Sequence, residues 1–227
     1  MSRLRLATAV LGLLVTVGCG TPAPPAAAGT AAPTAVPVVL DPVVPGWSPV
    51  RSVKRAAVYD VPPNWFVHSE STIVGYETDG GQQVAASGAA VFGLGACGDE
   101  QASLATAGIK HDTGADLDLA AESTAREWAD LAFRDDRDRP PKLTVGAPEP
   151  VTTLTGRPAV VVKVTARTAS RAGPCKLTEG TVHALSATGF TGELGPTAVL
   201  VVVSSPGQPD SVAESEIRQI LTTLRPV

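Results

Sequence analysis

The sequence is poor in the residues from which most metal centres and many active sites are built. Among 227 residues there are three histidines, three cysteines and one methionine. His68, His111 and His183 form no HxH or HExxH pair, and no CxxC pair occurs, so the common metal-site spacings are excluded. No GxSxG elbow and no SxxK is present, which removes the usual serine hydrolase signatures. Positive charge is also scarce. Eighteen Lys and Arg stand against 22 Asp and Glu, a formal net charge of −4, and no basic patch carries interleaved aromatics. Such a surface is repelled by phosphate backbones, so nucleic acid is excluded as a partner. The longest early apolar run, Leu6 to Val17, falls short of the roughly 20 residues that cross a bilayer as a helix.

What is there begins with an address. Arg3 and Arg5 precede the apolar run, and Gly18 is a small residue in front of Cys19, the pattern of an export signal over residues 1–18. Thr16-Val17-Gly18-Cys19 resembles the bacterial lipobox, with Thr16 where leucine is preferred. The resemblance implies cleavage before Cys19, diacylglycerol (palmitate-type acyl chains) on its thiol, and a membrane as first partner. Stable anchoring needs more than one chain, each buried methylene contributing about 0.8 kcal/mol. Cleavage would leave 16 basic residues against 22 acidic ones, a formal charge of −6.

Residues 19–46 carry seven prolines and one charged residue, Asp41, so they form no core and read as a semi-extended linker. Residues 49–227 suffice for one domain. With Cys19 assigned to lipid, Cys97 and Cys175 remain. An exported chain most simply joins them, which stabilises by roughly 4 kcal/mol in the chain-entropy picture; two free thiols or metal ligands are the alternatives.

Periodicity predicts a helix from Asp116 to Phe133, with Leu117, Ala121, Thr124, Trp128, Leu131 and Ala132 on one face. A second runs from a Ser211/Glu214 capping box to Pro226, and a short one lies near Gln101 to Ala107. Six β-rich runs are expected: Ser71–Glu77, Val84–Phe92, Lys142–Thr153, the segment around Val160 to Thr165, Glu179–Thr188 and Thr197–Ser204. The expected fold class is therefore α+β, a mainly antiparallel sheet of about six strands packed with two long helices.

Segments such as YDVPPNWFV (Tyr59–Val67), STIVGYE (Ser71–Glu77), SLATAG (Ser103–Gly108), AAESTAREWAD (Ala120–Asp130) and ILTTLRP (Ile220–Pro226) resemble an actinobacterial surface-domain family of unknown function. Its members stand behind an anchor and a proline-rich linker, and Cys97 and Cys175 fall where the family has its cysteines. A looser likeness is to the PsbP-like fold of secreted lipoproteins of the LpqN type. Neither supplies a catalytic motif, a cofactor or a metal.

Three local patterns invite chemistry. Gly93-Leu94-Gly95-Ala96-Cys97-Gly98 matches GxGxxG, which binds dinucleotides only within a parallel βαβ unit; a tight turn is the alternative. Asp112, Asp116 and Asp118 cluster before a helix without the spacing of an EF-hand. Hydrolysis would need His68, His111, His183, Asp60, Glu70 and Glu179 to converge in a pocket. The sequence reading is thus a lipid-anchored extracytoplasmic domain on the cell membrane, non-enzymatic, binding an envelope protein, glycan or lipid. The alternatives are a carrier or sensor of a small apolar ligand, and an envelope hydrolase.

Overall fold

The computed structural model describes residues 40–98, 100, 102–169, 178–191 and 195–227, Cys97 by its backbone alone. Its centre is a pair of strands whose sequences leave no polar face. In β10 (Glu179–Thr188) and β11 (Thr197–Ser204) almost every residue is buried, because both faces of the sheet they share are covered. Val199, Val201 and Val203 point to one side, together with Val160, Val162 and Val164 of β9 (Pro158–Arg167). There they meet Ala121, Ala125, Trp128 and Ala129 of α1 (Leu117–Ala132). Ala198, Leu200 and Val202 point to the opposite side, against Ile217, Ile220 and Leu221 of α2 (Glu214–Thr222) and against a second, small sheet. The period of two thus sorts each strand's residues between two cores.

The large sheet continues outward from this pair. On one flank β9 pairs with β7 (Lys142–Val145) and β8 (Glu149–Thr152). On the other, β11 pairs with β6 (Ala105–Asp112), then β5 (Gln83–Phe92), which carries both β3 (Trp65–Val67) and β4 (Ile73–Glu77). The small sheet orders β1 (Ser48–Ser52), β2 (Ala57–Val61) and β12 (Arg225–Pro226). It is fastened to the large one by Tyr59, whose hydroxyl donates to the Gly88 carbonyl at 2.9 Å, and by a Ser52–Ser87 hydroxyl pair at 2.7 Å. Residues 41–47 join this layer. The Val43 amide donates to Asp60 at 2.7 Å, and Trp47 packs against the α2-side core.

The expectation of an α+β domain with about six strands and two long helices is overturned. Among the described residues the domain is mostly β, with twelve strands in two antiparallel sheets and only two short helices, 16 and 9 residues long. The PsbP-like analogy falls with it. Lys142–Thr153 divides into two strands around Gly146 to Pro148. Of the helix expected near Gln101 to Ala107, Gln101 lies outside the described residues, residues 102–104 are not helical, and Ala105 to Ala107 open β6. The second helix is shorter than its apolar spacing suggested. Ser211 lies outside it, the N-cap is Ala213 with no side-chain bond, and the chain leaves the helix at Thr223 so that Arg225 and Pro226 can pair with β2.

Candidate functional site

At the end of β5 and β3 the chain builds an open cavity of about 540 Å³. Its apolar lining is Phe92, the last residue of β5, with Leu104 and Leu94. Phe92 is set by Trp65, whose ring lies 5.8 Å away, centroid to centroid, at 44°. Trp65 is itself pinned by its indole N–H, which donates to Glu216 at 3.1 Å. One wall is the Gly93 to Ala96 segment and another the Gln208-Pro209-Asp210 turn ahead of α2; Asn64 also lines the cavity.

Both walls are held by main-chain hydrogen bonds. Leu104 donates to the Phe92 carbonyl at 2.9 Å, Gly95 to Ala102 at 2.9 Å, Ser205 to Leu104 at 3.0 Å and Ser211 to Gln208 at 3.1 Å. Gly93 has φ +63°, and a Cβ there would stand 2.9 Å from the Leu104 side chain, so glycine is needed both for the turn and for the close approach. Among the described residues the polar side chains of the lining are two amides and one carboxylate, from Asn64, Gln208 and Asp210.

This is where GxGxxG falls. The glycines join antiparallel β5 and β6 through a 3-10 turn at Ala96–Gly98, so the βαβ setting of a dinucleotide fingerprint is not there. Leu104, Gln208 and Asp210 were not singled out by sequence. For Gln208 and Asp210 the one signal is the turn-forming run Pro206-Gly207-Gln208-Pro209-Asp210; Leu104 has none.

The residues proposed for hydrolysis take separate partners. The buried Asp60 carboxylate pairs with Arg225 at 2.9 Å. Glu179 accepts from Arg167 at 2.7 Å and Glu70 lies 3.7 Å from Arg51. His68 sets its ring edge-on to Phe66, and His111 lies 2.9 Å from the Arg55 carbonyl, so Nε2 carries the proton there. Burial pulls the His111 pKa down, against the hydrogen bond to the Arg55 carbonyl, which favours the protonated ring. Asp112 and Asp116 are occupied by backbone: Asp112 accepts from Gly114 at 2.8 Å, and Asp116 caps α1 by accepting from Leu119 at 3.1 Å. Among the described residues no cluster of three His, Cys, Asp or Glu side chains could hold a metal ion.

His183 stands apart. It is 1% exposed, on the face of β10 turned toward α2, and neither ring nitrogen has a hydrogen-bond partner among the described residues. Glu214 lies 3.7 Å from Nε2, beyond hydrogen-bond reach, and is claimed by the Lys163 ammonium at 2.6 Å. Burial, and then the Lys163 charge, push the His183 pKa down to about 4, while Glu214 opposes them. Hydrogen bonding to Lys163 draws the Glu214 carboxyl below its usual range. Arg218 of the same helix is engaged with Glu149 by two bonds of 2.9 and 2.7 Å.

Cys19 and Cys175 lie outside the described residues, as does the Cys97 side chain, and Trp128 is core on α1. Among the described residues no helix is long and apolar enough to cross a membrane.

Fold and cavity together define a three-layer, mostly β domain with a preformed, loop-walled recess at one end of its large sheet. Residues 40–227 match the family described as Domain of unknown function (DUF8017), and the chain belongs to that family. No curated protein matches the sequence.

Proposed function

We propose that this is a lipoprotein of the cell envelope: Cys19 carries the lipid, residues 19–39 act as a spacer, and the domain that follows binds an envelope component from the extracytoplasmic side. The basic start, the short apolar run and the lipobox-like Thr16 to Cys19 support the anchor. In that oxidising setting Cys97 and Cys175 form a disulfide. The observation that carries the binding role is the cavity. Its walls are fixed by backbone bonds, and its mouth presents amides and a single carboxylate, groups suited to holding a ligand.

The anchor is tested by expressing the full chain in a bacterium that processes lipoproteins and partitioning it between detergent and water. The wild type is expected in the detergent phase and Cys19→Ala in water; equal partitioning of both removes the anchor. Binding is tested by sedimenting the full chain carrying Cys19→Ala with washed cell envelopes. Retention above that of an unrelated acidic protein is expected, and its absence ends the binding reading.

A further inference from the structure

We infer that the cavity beside Phe92 is a saccharide site, taking one or two uncharged sugar rings. The inference rests on the binding reading above and names its ligand class. Three features of the recess narrow the chemistry. The first is charge: among the described residues Asp210 is the one ionisable side chain in the lining, and the chain as a whole carries a net charge of −4. With no Lys or Arg among the described lining residues and a carboxylate at the mouth, a phosphate, a carboxylate or an anionic lipid headgroup meets repulsion and finds no countercharge from those residues.

The second is the pairing of apolar and polar parts. Phe92, Leu94 and Leu104 offer apolar surface to a C–H face, and Leu94 is 53% exposed. Around them Asn64 and Gln208 each bring a donor and an acceptor, and Asp210 brings acceptors. None of these three side chains is spent on an ion pair or hydrogen bond with another described residue. A fatty-acyl chain would use the apolar surface and leave the amides unpaired. A sugar ring, apolar on one face and hydroxylated at its rim, uses both sets.

The third is rigidity and size. The walls are set by main-chain hydrogen bonds, and Phe92 is positioned through Trp65 and Glu216, so little ordering is left for binding to cost. About 540 Å³ accommodates a disaccharide and not a folded partner.

The test uses the full chain carrying Cys19→Ala, with amide NMR and Trp fluorescence as readouts. Cellobiose and N,N′-diacetylchitobiose are the probes, and inorganic phosphate and trialanine the counter-probes. At roughly 10 mM probe, a site with a Kd near 1 mM is about nine-tenths filled. At least one disaccharide is expected to shift the amides of Gly93 to Ala96 and Leu104, and the emission of Trp65. Asn64→Ala with Gln208→Ala, both on surface turns and harmless to the core, is expected to weaken that binding about tenfold or more. Asp210→Asn keeps the left-handed backbone at φ +65° and is expected to lower sugar affinity, while phosphate, relieved of the repulsion but still without a countercharge among the described lining residues, is expected to bind only weakly. Neither disaccharide shifting these amides, or a counter-probe shifting them instead, overturns the assignment. If envelopes still retain the Asn64→Ala/Gln208→Ala protein while both sugars fail, the sugar site falls and the binding reading stands. If retention is lost for the parent protein too, both fall.

Discussion

His183 is a residue whose environment opposes its charge. A buried imidazole without hydrogen bonds survives only as the neutral species, and its depressed pKa is the measure of that preference. Because the folded value of about 4 lies below the ordinary 6.5, the stability tied to neutral His183 is complete above pH 6.5. It drains away as the pH falls from 6.5 toward 4. The span corresponds to roughly 3 kcal/mol. Glu214 and Glu149, both held below their usual range by Lys163 and Arg218, add loss of the same sign at the acid end of that window. His183→Leu keeps the volume and removes the titration. Urea midpoints measured between pH 7 and pH 4.5 are expected to fall clearly for the wild type and much less for the variant, which keeps only the smaller losses from His111, Glu214 and Glu149. Parallel pH profiles for the two proteins would contradict the assignment. In the sequence His183 was one of three scattered histidines, and nothing near it signalled burial; the cause lies in Lys163, its cross-strand neighbour, and in α2, which arrives from 31 residues downstream.

The elements were legible wherever a single period ran long enough. The α1 helix shows its 3.6-residue stripe and an aspartate before it, and β11 is a run dominated by valine between Pro196 and Pro206. The capping of α1 yields a prediction: Asp116→Ala removes the acceptor for the Leu119 amide and is expected to cost about 1 kcal/mol, read as a lowered Tm. Strand β6 hid because Ala105, Thr106, Ala107 and Gly108 are small rather than β-branched. They are small for a reason of contact, since a Cβ on Gly108 would stand 2.8 Å from that of Ala86 on β5. The same logic seats α1. Gly180, opening β10, faces the ring of Phe133, and a Cβ there would run into it. Gly180→Ala is therefore expected to destabilise by about 1–3 kcal/mol through overpacking. Adding Phe133→Leu frees the space, so the double variant is expected to lose less than the two single losses combined. Additive losses in chemical denaturation would show that the helix is not held at this point.

At the scale of the whole molecule, the two ends of the described chain meet on one carboxylate. Asp60 on β2 is fully buried and accepts from the Arg225 guanidinium at 2.9 Å and from the Val43 amide at 2.7 Å. Its own amide donates to the Thr223 hydroxyl at 2.8 Å, while Arg225 also donates to the Thr223 and Asp41 carbonyls at 3.0 and 3.1 Å. Sequence reading had set Asp60 among possible catalytic acids, for a carboxylate and an arginine 165 residues apart give no local sign of pairing. Both carboxylate oxygens of Asp60 and both terminal nitrogens of the Arg225 guanidinium are engaged, and it is such hydrogen bonding that lets a buried ion pair be tolerated. Breaking it is costly, because the charge left behind stays buried. Arg225→Met is expected to destabilise by about 3–5 kcal/mol, and Asp60→Asn/Arg225→Met to recover a large part of that loss by removing the orphaned charge. If the domain is pulled through its spacer, residues 41–43 are the first to bear the load, and Asp60 is what they hold. Hydrogen exchange then distinguishes a local clasp from a global one. In Arg225→Met the amides of Val43 and of β2 are expected to lose protection ahead of those of β10 and β11, which sit in the centre of the large sheet. Uniform loss across all four would mean that the clasp and the central sheet unfold as one unit.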